Sequence, residues 1–485
     1  MRSHRHRWTA CCFAIVVVAS GIAVAATPGS GTRIETRVFW SDVLNKAVKT
    51  EIILPPGYSS ANVYPSLYLL HGSANESGND FGAAILEMAN DVGARGFVGI
   101  VPYTGAAWTN PKEDATKKIA WEIEWPAEDE PILGINRGGV TAPKVDYTAA
   151  QAPYETHVIN ELIPWVTANY SVARDRKGRG VMGHSGGAFG SFMLATRHPD
   201  LFSFVGGSSG PVSAFHPSCL EICTLATAAW GGRDFVTDEI FWRAKDPKEL
   251  SVNLLGEGLS VIHSAGCPNA ATEAGDPTCG LEGFAQPLNR DLHNKFDAIG
   301  LPHTYVIVDV NTHAVPEVAI PVYKSHYLPL AASTFAAPPS APKRWTYKTI
   351  DRAFRLWGWS FGVERPNTEF LTLQDVEAKG FTALGTGDLL VVTPPIYRAD
   401  TRYRLTRTAP GGSTFTTVVY SDDTGRLAFA MELGAPRLMD EHSILVSAGM
   451  FPFPAYRLAI VADRTTRPDD PRECPAAWVY PVAPC

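Results

Sequence analysis

Gly180-Val181-Met182-Gly183-His184-Ser185-Gly186-Gly187 is an apolar run ending in a glycine-flanked serine, and a helix-like stretch from Ala188 to Arg197 follows at once. A serine between a strand and a helix sits on a turn too tight for a Cβ on either side, which lifts its hydroxyl clear of the sheet. G-x-S-x-G on its own arises often by chance, and serines such as Ser208 and Ser209 sit in similar glycine-rich tracts. The strand before and the helix after single out Ser185 as the candidate nucleophile.

From about residue 33 to 332 the surrounding chain alternates short β-rich runs with helical patterns. Val48–Leu54, Leu67–Leu70, Phe97–Tyr103, Phe204–Gly207, Leu259–His263 and Tyr305–Asp309 are mostly apolar throughout, as in a sheet covered on both faces. Tyr154–Asn169 places Val158, Ile159, Leu162, Ile163 and Val166 at helical spacing. This alternation predicts an α/β fold with a largely parallel sheet. Residues 104–150 interrupt it with Pro, Gly, Trp and an acidic patch at Glu122 to Glu130, and are expected to cross the binding face. The patch lacks the alternating ligands of a calcium loop, so a solvated surface is expected.

Pro338, Pro339 and Pro342 then mark residues 336–343 as a stiff linker. Beyond it the period changes to two, with Leu427, Phe429, Met431 and Leu433 on one face and Asp423-Thr424-Gly425 as a hairpin turn. Residues 344–485 are therefore expected to form a smaller all-β, sandwich-like domain after a catalytic domain of residues 27–335. That second domain either contacts a glycan or polymer or braces the first. Trp345, Trp357 and Trp359 are candidates for a sugar-stacking face, although core tryptophans are commoner at such spacings.

A nucleophilic serine needs oxyanion donors and a base. Leu67-Tyr68-Leu69-Leu70-His71-Gly72-Ser73 is a strand ending in His-Gly-Ser, so the backbone N–H groups of Ser73 and Gly186 are the expected donors. In the order Ser, acid, His, a loop histidine past the last strand is required. His313, in Asn311-Thr312-His313-Ala314, meets this better than His198, His216, His263, His293, His303 or His326.

Residues 1–26 combine Arg2, Arg5 and Arg7, an apolar run from Ala10 to Val24 and small residues at Ala23-Val24-Ala25, which predicts a secretory signal peptide. The run falls short of the ~20 residues of a spanning helix. Beyond it remain Cys219, Cys223, Cys267, Cys279, Cys474 and Cys485, an even set expected to form disulfides in an exported chain. Their pairing is not fixed by the sequence. Their spacing is not that of a zinc site, and no metal or cofactor is expected. Over 485 residues the hydrophobic fraction is 45% and the net charge −7, which excludes a disordered tail and argues against nucleic acid.

Residues from about 50 to 330 resemble the esterase D-like family of α/β-hydrolases, which includes the antigen 85 mycolyltransferases, formylglutathione hydrolases and feruloyl esterases. The matching pieces are Leu54-Pro55-Pro56-Gly57-Tyr58, Tyr68-Leu69-Leu70-His71-Gly72, Glu161-Leu162-Ile163-Pro164-Trp165, Gly183-His184-Ser185-Gly186-Gly187 and His198-Pro199-Asp200-Leu201-Phe202. Trp242-Arg243-Ala244-Lys245-Asp246-Pro247 and Leu281-Glu282-Gly283-Phe284 are similar to elements of the antigen 85 branch. The resemblance implies an α/β-hydrolase fold and carries the acid role to Glu282, with Asp276 as the alternative used by other members. His313-Ala314-Val315 lacks that branch's aromatic after the histidine, and the β domain is foreign to it.

The expectation is therefore a secreted, extracellular or wall-associated serine ester hydrolase with the triad Ser185, Glu282 and His313, acting on a small-molecule, lipid or polymer-linked ester. The alternatives are an acyltransferase that passes the acyl group to a sugar or lipid hydroxyl, and a catalytically idle adhesion protein.

Overall fold

The computed structural model describes residues 24–26, 31–44, 46–72, 84–85, 87–103, 154–219, 239–269, 277–447, 449 and 453–463. Residues 1–23 of the expected signal peptide 1–26, the excursion at 104–150, Ser73, Asp276, Cys223, Cys474 and Cys485 lie outside them, whereas Val24–Ala26, the last three residues of that expected signal, pair with Arg33–Glu35 at the edge of a sheet. No helix among the described residues is long and apolar enough to cross a membrane.

The first domain is built on a nine-stranded sheet. Its strands are β1 (Val24–Ala26), β2 (Arg33–Ser41), β3 (Lys46–Leu54), β4 (Ser66–Leu70), β5 (Val98–Tyr103), β6 (Arg179–His184), β7 (Phe204–Ser208), β8 (Ser260–Ala265) and β9 (Thr304–Ile307). Their order in the sheet is β1-β2-β3-β5-β4-β6-β7-β8-β9. From β5 to β9 every pairing is parallel, and β1, β2 and β3 join antiparallel at one side. Every residue of β4, β5, β6 and β7 is buried, because helices cover both faces. One face packs against Val158, Leu162 and Val166, the helix Gly186–Arg197 and Leu288, Leu292 and Phe296. The other packs against Ile85, Met88 and Val92 and against the chain from Val315 to Ala331. This is the doubly covered sheet expected of an α/β-hydrolase.

The expected helix Tyr154–Asn169 is present but not regular. His157–Leu162 widens into a π-helix between the α turns Tyr154–Thr156 and Ile163–Asn169. Pro164, with no N–H to donate back, stands just after the wide segment. Glu161 there accepts from Ser41 Oγ (2.5 Å), the Val43 backbone N–H (2.9 Å) and His157 Nδ1 (2.7 Å), which ties the helix to the β2–β3 turn.

The C-terminal strands are β10 (Trp345–Thr349), β11 (Ala353–Leu356), β12 (Trp359–Glu364), β13 (Leu371–Glu377), β14 (Gly380–Leu384), β15 (Asp388–Val392), β16 (Arg402–Thr408), β17 (Thr414–Tyr420), β18 (Ala428–Glu432) and β19 (Ala455–Ala462). They form two antiparallel sheets of six and four strands, β10-β13-β14-β19-β16-β17 and β11-β12-β15-β18. They enclose one apolar core containing Leu427, Met431 and Leu433. The turn at Asp423-Thr424-Gly425 is a correction. It joins β17 (Thr414–Tyr420) to β18 (Ala428–Glu432), which lie in different sheets, so it is a crossover and not a hairpin. The neighbouring hairpin is β16–β17, with Arg402–Thr408 paired to Thr414–Tyr420. Trp345 and Trp359 are buried in the core, and Trp357 lies under the Arg176 guanidinium (5.0 Å) with its Nε1 3.4 Å from Glu257. None of the three forms an exposed stacking face.

The sandwich is fastened to the first domain. Ile240, Ala244 and Leu250 share an apolar cluster with Ile350 and Phe370. Arg243 pairs with Glu441 (2.8 Å) and Glu249 (2.9 Å), and Lys348 pairs with Glu249. Asn253 donates to the Thr196 and Lys348 carbonyls. At the end of helix Gly186–Arg197, Tyr347 donates its hydroxyl to the Arg197 carbonyl (2.7 Å), and the Arg197 guanidinium bridges Glu155 and Asp351. Glu155 also accepts from Lys245 (3.0 Å) and His198 (2.8 Å). The second domain thus grips the helix that begins at the candidate nucleophile.

Candidate active site

Ser185 stands between β6 and the helix Gly186–Arg197 with φ 56° and ψ −120°, a conformation that L-residues rarely adopt. The strain is held from outside: the Ser185 N–H donates to the Ser208 carbonyl (2.8 Å). The flanking glycines are required by close approach. A Cβ on Gly187 would lie 2.2 Å from the Leu70 carbonyl oxygen, and one on Gly183 2.4 Å from the Gly187 oxygen. β6 and its helix therefore press directly on the end of β4. Gly72, just beyond β4, lies so near the serine that its Cβ would meet Ser185 Cβ at 3.1 Å and Oγ at 3.6 Å.

The structure brings His313 and Glu282 together. Glu282 is fully buried in the first turn of the helix Leu281–Ile299, where the helix dipole favours a carboxylate. Its Oε1 accepts from His313 Nδ1 at 2.6 Å. Its Oε2 accepts from the Gly266 backbone N–H (2.5 Å) and Ser209 Oγ (3.0 Å). Both oxygens are thereby aimed, and the imidazole keeps its proton on Nδ1 with Nε2 left free as a base.

The supports come from strand ends. Ser209, with φ 57°, follows β7 and donates its N–H to the Ser264 carbonyl (2.7 Å). Gly266 follows β8, where a Cβ would sit 3.0 Å from Glu282 Oε2 and 2.8 Å from the Val310 oxygen. The His313 loop is laced to the same place, since Val308 N–H donates to Ala265 and Cys267 N–H to Val310. A disulfide joins Cys267, the neighbour of Gly266, to Cys279, three residues before Glu282. Cys219 is also disulfide-bonded.

His184 connects the strand before Ser185 to His313. Its Nε2 donates to the His313 backbone carbonyl (3.1 Å), and the two rings lie 4.5 Å apart. Burial, reinforced by the neighbouring His313, holds His184 well below the usual imidazole range, so it stays neutral beside the base. Sequence reasoning passed over His184, Ser209 and Gly266. Only the G-x-S-x-G frame marked the first, and nothing local marked the other two. Of the expected oxyanion donors Gly186 begins the helix, while Ser73 lies outside the described residues, as does the alternative acid Asp276.

Chemically, this edge of the sheet offers a strained serine after β6 and, past β9, an imidazole oriented by a carboxylate that is held at the ends of β7 and β8. Residues 131–315 match the model of a family described as Esterase. Two curated relatives, Esterase MT1326 and Esterase Rv1288 from two strains of Mycobacterium tuberculosis, are each 28% identical over 163 residues, 33% of this chain and 29% of theirs. The chain thus matches less than a third of the length of those relatives. Among solved structures, an S-formylglutathione hydrolase from Agrobacterium tumefaciens aligns at 14% identity over 65% of this chain and 99% of its own, with a TM-score of 0.45. Mycobacterium tuberculosis MPT51 aligns at 17% identity over 65% and 100%, with a TM-score of 0.43.

Proposed function

We propose that this chain, whose first domain belongs to the esterase D-like family of α/β-hydrolases, is an exported serine esterase that works through an acyl-enzyme. The observation that carries the reading is the fully buried Glu282 bonded at 2.6 Å to His313 Nδ1, on the side of the sheet where Ser185 occupies its strained turn.

In this mechanism His313 Nε2 takes the Ser185 Oγ proton as Oγ bonds to the ester carbonyl carbon. The negative oxygen is received by the backbone N–H groups of Gly186 and Ser73. The carbonyl re-forms, the C–O bond to the alcohol breaks, and the imidazolium returns its proton to the departing alkoxide. Water then attacks the acyl-enzyme with the same base, releases the acid and restores Ser185. Glu282 stabilises the imidazolium at each stage and keeps its ring in the working tautomer. The β-sandwich serves as a brace, a role supported by its bonds to Arg197 and by the burial of Trp345 and Trp359 in its core.

The test is hydrolysis of p-nitrophenyl acyl esters of increasing chain length by the full mature chain and by Ser185→Ala. Activity in the first and its loss in the second are expected, and the length optimum sizes the acyl site. Equal activity in both would remove Ser185 from the mechanism. Acyl product on an added polyol, in excess over free acid, would make the enzyme an acyltransferase.

A further inference from the structure

Three histidines converge well away from the candidate triad. His263 lies on β8, His293 in the penultimate turn of the helix Leu281–Ile299, and His303 just before β9. One ring nitrogen of each lies within 4.8 Å of the others. Eleven residues of helix separate Glu282 from His293, about 16 Å of rise, so the cluster shares elements with the acid but not its site.

The hydrogen bonds behind each ring decide what faces inward. Asn289 spends both amide hydrogens on the Gly210 and Ala285 carbonyls, leaving its Oδ1 to accept from His263 Nδ1 (3.3 Å). His263 Nε2 is then a bare lone pair, fully buried and without a hydrogen-bond partner. His303 donates Nδ1–H to the Leu301 carbonyl (2.8 Å), so its Nε2 is also a bare acceptor, 2.7 Å from His293 Nδ1. His293 has Asp297 Oδ2 3.5 Å from its other nitrogen. Each ring thus has an oxygen at one nitrogen, and one nitrogen of each ring lies within 4.8 Å of the others, an arrangement in which outer acceptors orient metal-binding imidazoles.

We infer that His263 Nε2, His293 Nδ1 and His303 Nε2 form a structural site for a divalent cation of the zinc class. Three neutral imidazoles suit Zn²⁺, Co²⁺ or Ni²⁺ and offer no oxygen to calcium or magnesium. Tetrahedral coordination sets ligand nitrogens roughly 3.3 Å apart, between the 2.7 Å of His293–His303 and the 4.8 Å outer limit. The half-buried rings of His293 and His303 are free to make that adjustment from the solvent side, where water completes the set. On binding, the His293 proton passes from Nδ1 to Nε2, where Asp297 receives it, so no net charge is created on the ring. The ion pins the far end of the acid helix to β8 and β9. The sequence reading, which looked for cysteine spacings, expected no metal; three histidines from three elements carry no spacing signature.

The test uses the tag-free full chain, stripped with chelator, with Co²⁺ as optical probe and Zn²⁺ as competitor. One Co²⁺ per chain with the intense visible bands of tetrahedral coordination, displaced by one Zn²⁺, is expected. Saturating Zn²⁺ raises the Tm by roughly 5 °C at a hundredfold excess over its Kd. His293→Ala and His303→Ala, at half-exposed positions, retain the wild-type circular dichroism spectrum but lose both the bands and the Tm rise. Absence of stoichiometric Co²⁺, or binding unchanged in those two folded variants, would overturn the assignment and leave a hydrogen-bonded His293–His303 pair beside His263, which stacks on Tyr305.

Discussion

Replacing Glu282 by glutamine changes one atom and tests the orientation of the base. Three donors reach this carboxylate: His313 Nδ1 at 2.6 Å on one oxygen, Gly266 N–H at 2.5 Å and Ser209 Oγ at 3.0 Å on the other. A glutamine has a single acceptor oxygen. The Gly266 N–H is fixed in the backbone and Ser209 points the same way, so the amide oxygen takes their side. The amide NH₂ then faces His313 Nδ1, which must present a lone pair, and the proton moves to Nε2. An imidazole protonated on Nε2 cannot accept the serine proton. The analogous carboxylate-to-amide change in a serine protease triad lowers kcat about 10⁴-fold, and a loss of roughly 10³ to 10⁴-fold is expected here. The assay is p-nitrophenyl ester hydrolysis under saturating substrate, with circular dichroism to confirm the fold. KM should change little, because Glu282 touches no substrate. A kcat within tenfold of wild type would refute the orienting role and return the acid assignment to Asp276, whose Asp276→Asn variant should otherwise keep full activity.

Other consequences follow from the packing around the serine and between the domains. Gly187→Ala sets a Cβ 2.2 Å from the Leu70 oxygen, so β4 and the nucleophile helix must part by about 1 Å; misplacement of that size costs on the order of 10²-fold in rate. A turnover number equal to wild type would show that the contact relaxes freely. Burial, only partly offset by Arg176, pushes the Glu257 carboxyl up to about 8. A folded value above the unfolded one means that the folded chain binds the proton more tightly, so stability falls as pH rises from about 4.5 to about 8. Glu257→Gln should remove that share of the alkaline decline, raising the Tm at pH 9 with no gain at pH 4; parallel Tm curves would contradict this. Glu249 has the opposite sign. Burial alone would raise it, but Lys348 and Arg243 hold it at about 2, so its stabilisation is lost as pH falls from about 4.5 through 2, and Lys348→Met should shrink that acid-side loss. Deleting residues 336–485 exposes Ile240, Ala244 and Leu250 and strips Arg197 of Asp351, so an insoluble remainder is expected; a soluble, active one would make the sandwich a separate module.

What the sequence discloses here is what short-range patterns encode. The fully buried strands β4, β5 and β7 are visible as unbroken apolar runs, and the Ser185 turn as a glycine frame, because both follow from local sterics and covering helices. β2 (Arg33–Ser41) was missed, since Arg-Ile-Glu-Thr-Arg-Val-Phe mixes charge with apolar residues in a strand that packs only partly against the core. Ser209 looked like one more serine in a glycine-rich tract, and its role depends on Glu282, 73 positions later. The Asp423 turn has hairpin chemistry, yet the choice between pairing within one sheet and crossing to another is made by the core the two sheets share. The pairing of Glu282 with His313 was legible only through the family resemblance; their 31-residue separation is bridged by the acid helix and β9, not by any local rule.

The most direct measurement is covalent. The full mature chain is treated with a fluorophosphonate and digested, and the adduct is mapped by mass spectrometry. A single stoichiometric adduct on Ser185, absent in Ser185→Ala and formed far more slowly in Glu282→Gln and His313→Ala, is the predicted result. No adduct at all, or one on another serine that persists in Ser185→Ala, would contradict the account.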